Sequence, residues 1–193
     1  MRVQIGVPHG EIEQLQSAVR QGGDQALLSC EKRFDGVDLD ALEVTEQELE
    51  EAWGQISPQL QETLTMAADN IRAFHSRQVR QSFVISEEDG VLLGQKVLPL
   101  ERVGLYIPGG TAAYPSSVLM NCIPAKIAGV DEIVMTTPAT GGEVSPAILA
   151  AAKVAGVDKV FRVGGAQAVA ALAYGTETIP RVDKIVGPGN AFV

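Results

Sequence analysis

Four short apolar runs, VGLYI (103–107), DEIVMTT (131–137), DKVFRV (158–163) and DKIVG (183–187), recur between longer Ala-rich segments in the second half of this chain. Runs of this length, rich in branched side chains and lacking polar alternation, suit strands buried on both faces, as in a parallel sheet covered by crossover helices. The repeat of AGVDEIV and AGVDKVF fits two successive crossover units. The pattern predicts an α/β fold in which residues 103–193 form an incomplete Rossmann-like parallel domain. Ser145-Pro146 marks one helix start, and Pro124 is expected to kink or divide the helix between Ser116 and Gly129.

Residues 1–102 read as the helical and hairpin part of an incomplete first domain. Ile12, Leu15 and Val19 share one helical face; Gly22 and Gly23 interrupt it, and Asp24 can cap a second helix that buries Ala26, Leu27 and Phe34. Thr45 with Glu48 forms a capping-box signature, and Ser57-Pro58 opens a helix carrying Leu60, Leu64, Ala67, Ile71 and Phe74 at helical spacing. Two extended stretches then flank Asp89-Gly90, a hairpin turn dipeptide.

Charge narrows the function. Residues 1–100 hold 17 acidic and 8 basic side chains, and residues 101–193 hold 7 of each. Neither half offers the basic face that a phosphate backbone needs, so nucleic acid is excluded as a partner. No apolar run reaches the length of a membrane span and the first residues lack a signal-peptide pattern, so a cytoplasmic protein is expected. Cys30 and Cys122 are read as unpaired thiols. With His9 and His75 as the only histidines, a self-contained zinc site is not expected.

Three strand ends carry the polar residues and glycines that chemistry at a sheet edge requires. YIPGGTA places Tyr106 near the end of the first run, VGGAQAV places Gln167 in the first turn of a helix, and GPGN places Asn190 after the last run. In a parallel sheet these ends share one edge, so the three side chains are expected to face one crevice. Glycines admit a ligand to the backbone, and free N–H groups at a helix start favour an anion. The two amides and the tyrosine suit a neutral polar partner; none is a strong base at neutral pH. GGAQAV is neither of the standard nucleotide-binding glycine motifs, and tight packing explains the same glycines without a ligand.

RVGLYIPGGTAAYPSSVLMNCIPAKIAGV, VGGAQAVAALAYGTETIPRVDKIVGPGNAFV, GGDQALLSCEKRFDG and NIRAFHSRQ together resemble histidinol dehydrogenase over almost the whole chain. The resemblance implies an NAD- and zinc-dependent homodimer that oxidises L-histidinol through L-histidinal to L-histidine with two NAD in histidine biosynthesis. It implies NAD contacts at Tyr106, Gln167 and Asn190. It also implies an N-terminal fragment, because members of the family continue past Val193 and carry their catalytic residues, zinc ligands and most substrate contacts there. No catalytic or metal residue is therefore assigned, and the isolated chain is expected to be inactive. Two other readings stay open: a related zinc-dependent dehydrogenase of another small alcohol, and a non-catalytic nucleotide-binding or regulatory module.

Overall fold

The computed structural model describes residues 9–86, 90–109 and 113–188. A five-stranded sheet organises it, in the order β1-β6-β5-β4-β7. Strands β4 (Arg102–Tyr106), β5 (Glu132–Thr137), β6 (Lys159–Arg162) and β7 (Lys184–Val186) are parallel, and the two-residue β1 (Glu43–Val44) closes one edge antiparallel to β6. Each apolar run thus becomes a strand. Between them lie α4 (Pro115–Ile127), α5 (Pro146–Ala155) and α6 (Gly165–Tyr174).

Alternation along each strand divides the core in two. Val103, Leu105, Ile133, Met135 and Val160 face α4 and α5, which are covered in turn by α2 (Glu46–Gln55) and α3 (Pro58–His75). Tyr106, Val134 and Phe161 face the opposite side, where α6 packs with α1 (His9–Phe34). Helices on both faces explain why the strands are apolar throughout. Gly104 makes one of these contacts possible, because a Cβ there would lie 3.0 Å from the side chains of Leu172 and Val182.

The segment before residue 102 contributes to the sheet as well as to the helices. Thr45 and Glu48 form the expected capping box, with the Glu48 N–H donating to Thr45 Oγ1 at 3.3 Å and the Thr45 N–H to Glu48 Oε2 at 2.8 Å. Glu48 also pairs with Arg162 at the end of β6, whose Nη1 donates to Glu43 O at 2.9 Å. The cap of α2 and the edge of the sheet are therefore one unit. Ser57 caps α3 as its sequence predicts, accepting the Leu60 N–H at 3.2 Å.

Several local expectations give way. α4 runs unbroken through Pro124, because a proline in the last turn sacrifices a single backbone bond near the helix end. Phe34 and Phe74, placed inside by periodicity, are 49% and 64% exposed at or near helix ends. The α1 helix does break at Gly23, which has φ 52° and ψ −135°, yet the carboxylate on the Asp24 N–H belongs to Glu177. β2 (Phe83–Ser86) and β3 (Leu92–Gln95) pair as an antiparallel hairpin with both strands exposed, and Asp89 of the expected turn lies outside the described residues.

Candidate functional site

At the carboxyl edge of β4, β5 and β6 three connections meet around Pro138. A Cβ on Gly109 would collide with the Pro138 ring, and one on Gly164 would lie 2.6 Å from Pro138 Cβ. These two glycines are explained by loop packing. Gly165, with φ 60°, is different: it takes a left-handed conformation to start α6 directly after the strand. No side chain caps α6, so its N-terminal N–H groups face the edge without a protein acceptor from the cap position.

The loops form the floor of a cavity of about 870 Å³, and α1 forms its roof. Tyr106 and Gln167 both line it, together with Pro108, Asp35 and Thr140. A volume of this size is in the range that small-molecule and cofactor sites occupy. Strand β4 ends at Tyr106 and turns its side chain to the α1 and α6 face, while the first turn of α6 brings Gln167 beside it. Asn190 lies outside the described residues. The chain does approach Tyr106 again just before it, since a Cβ on Gly187 would collide with the Tyr106 carbonyl.

Chemically, Tyr106 and Gln167 offer hydrogen bonds and no strong base at neutral pH. Tyr106 is 6% exposed, and burial pushes its hydroxyl pKa up. The Gly165 N–H beside it acts the other way and the Asp35 carboxylate adds to the rise. Tyr106 consequently keeps its proton at neutral pH and offers a hydrogen bond. Gln167 is 4% exposed and donates through Nε2 to Glu31 Oε1 at 3.3 Å.

Glu31 was not singled out by sequence reasoning. It is completely buried on α1, and its carboxyl pKa is pushed up to about 7, chiefly by burial and also by the neighbouring Asp35, against the hydrogen bond from Gln167. Its Oε2 has no hydrogen-bond partner among the described residues. A signal existed: Glu31 follows the fully buried Leu27 by four residues, so it sits on the apolar stripe of its helix. Among the described residues no group of three or more His, Cys, Asp or Glu side chains could hold a metal ion. No described helix is long and apolar enough to cross a membrane.

Residues 6–193 match the family described as histidinol dehydrogenase. The chain is 57% identical over 184 residues to histidinol dehydrogenase of Syntrophotalea carbinolica, covering 94% of this chain and 43% of that protein. It is 55% identical over 188 residues to that of Methylococcus capsulatus, covering 96% and 43%. The crystal structure of histidinol dehydrogenase from Elizabethkingia anophelis has a TM-score of 0.91 and 37% identity, over 95% of this chain and 43% of that chain. The chain spans less than half the length of these relatives.

Proposed function

The chain belongs to the histidinol dehydrogenase family, and from that premise we propose that it forms the NAD-binding wall of an enzyme oxidising L-histidinol through L-histidinal to L-histidine. The observation that carries this reading is the shared cavity: Tyr106 and Gln167, 61 positions apart, meet at the carboxyl edge of a parallel sheet. Bound NAD supplies the hydride acceptor for both oxidation steps. The residues present suit it. Tyr106 offers a protonated hydroxyl, Gln167 a carbonyl, and the uncapped start of α6 favours an anionic group. Asn190 is assigned to the same wall.

Zinc is a different matter. The described residues provide no ligand set for it; this wall would orient a cofactor and exclude water, and the zinc of the proposed enzyme would be held by residues outside it. Activity and its substrate belong to the gene product at the length of its relatives, proposed to be a cytoplasmic homodimer. Gln167→Ala in the native gene product tests the reading. NAD affinity should fall roughly twofold to tenfold, the usual loss for one buried hydrogen bond to a neutral ligand, with zinc content unchanged. Unchanged NAD affinity with lost zinc would overturn it.

A further inference from the structure

The hydrogen bond between Gln167 and Glu31 joins α6 to α1 across 136 positions, and both side chains are buried. A glutamine amide has a donor end and an acceptor end of nearly the same shape, so an unanchored one can present either to a ligand. Ionised above about pH 7, Glu31 only accepts. There the Nε2 end is committed, and Oε1 is the end left over. No hydrogen bond to Gln167 Oε1 is made among the described residues, and Oε1 is the Gln167 atom nearest to where a Cβ on Gly165 would lie, at 2.8 Å. Glu31 itself does not line the cavity.

This arrangement is costly for the fold. A fully buried carboxyl that makes one long hydrogen bond and leaves its second oxygen unpartnered is worse locally than an apolar side chain of the same size. Its neighbours offset a charge only in part: the Gln167 amide and the Gly164 N–H of the loop leading into α6 favour it, while Asp35, just past the end of α1, opposes it. Packing alone gives no reason for a glutamate here.

Resting on the NAD reading of this cavity, we propose that Glu31 is a positioning residue that fixes the Gln167 amide with Oε1 toward the cavity. The dinucleotide group received there is then a hydrogen-bond donor: the carboxamide NH2 or a ribose hydroxyl. Glu31 acts only through Gln167.

The test is NAD affinity at about pH 8, where Glu31 is ionised, by calorimetry on the native gene product, for the parent, Glu31→Met, Glu31→Gln, Gln167→Ala and the Glu31→Met/Gln167→Ala pair, with thermal midpoints recorded alongside. Glu31→Met should weaken binding roughly threefold to tenfold, since Nε2 loses its anchor. Glu31→Gln should fall between the parent and Glu31→Met, because its amide accepts from Nε2 in one orientation and donates to Oε1 in the other. In the Gln167→Ala background Glu31→Met should change nothing further. Should Glu31→Met fail to fold, Glu31→Leu takes its place in the cycle. With a dinucleotide carrying a carboxylate instead of the carboxamide, the effect of Glu31→Met vanishes if the carboxamide is the donor and persists if a ribose hydroxyl is. Parent-like binding by Glu31→Met alongside weakened Gln167→Ala overturns the positioning role and leaves the cofactor reading intact. Equal weakening by Glu31→Met in both backgrounds also overturns it, and parent-like binding by Gln167→Ala removes both.

Discussion

Glu177, in the connection after α6, accepts the backbone N–H of Asp24 at 2.8 Å and so caps, from 153 positions away, the half of α1 that resumes after the kink. The roof of the cavity is thereby fastened to the segment that follows one of its walls. Gly23 permits the contact: its φ is 52°, and a Cβ there would collide with the Glu177 carboxylate. Gly23→Ala should cost about 1–2 kcal/mol from the left-handed backbone alone, and more from the displaced carboxylate. Urea unfolding measures it; a midpoint equal to the parent's would contradict the assignment. Glu177→Ala should leave the core intact and speed hydrogen exchange at Asp24 by a few fold.

Stability should depend on pH through Glu31. Its folded pKa, about 7, lies above its ordinary 4.5. The folded state therefore favours the protonated acid, and its contribution is complete below about pH 4.5 and lost as pH rises through 7. The loss is on the order of 3 kcal/mol. Denaturant midpoints measured from pH 5 to 8 should fall for the parent and flatten in Glu31→Gln. A parent curve that rises over this window would show that Glu31 is charged in the folded protein. Glu48, Glu132 and Glu177 act in the opposite sense at lower pH. Each is held below the ordinary carboxylate range, in Glu48 and Glu132 against the effect of burial, so their contributions disappear as pH falls.

The cap of α2 is a second point of leverage on the sheet. Thr45→Ala removes the acceptor of the Glu48 N–H, and should cost about 1 kcal/mol. Because Glu48 also holds Arg162, the loss should extend to β1 and appear as faster exchange at the Arg162 N–H, which donates to Leu42 O at 2.7 Å. Loss confined to the α2 amides would show that cap and sheet edge are separable.

Val84 and Leu92, on facing strands of the hairpin, are 73% and 68% exposed, and Phe83, Ile85 and Leu93 beside them are about half exposed. A two-stranded ribbon that is apolar on both faces is a ready surface for association. The 193-residue chain by itself should self-associate in a concentration-dependent way. Val84→Ser with Leu92→Ser should reduce this in sedimentation velocity without lowering the thermal midpoint. A monomeric parent at high concentration would rule the hairpin out as the sticky surface.

Much of this architecture could be read from local chemistry, since the elements most legible in the sequence are those whose signal is complete within a few residues. The four apolar runs became the parallel strands because burial on both faces demands apolar residues throughout, wherever the strands finally sit. Thr45 with Glu48 and Ser57 with Pro58 marked helix starts correctly because a cap is satisfied by atoms three positions away. Tyr106 and Gln167 could be placed on one edge because parallel strands put their ends together whatever the sheet order.

What lay beyond local chemistry was decided by contacts between distant segments. Two residues at Glu43–Val44 are too short for a periodic signal, and they become a strand because β6 offers an open edge and Arg162 reaches back to hold them. The cap at Asp24 comes from Glu177, and Phe34 and Phe74 stay exposed because helical periodicity says which face turns inward but not where its partner ends. The site follows the same rule. In sequence Gly109 and Gly164 are open to a ligand or to tight packing, and Pro138 fills the space above them, while only its spacing from Leu27 marks Glu31 until α6 brings Gln167 against it. A carboxyl on a helix is solvated or buried according to what packs over it, and that is a property of the assembled fold.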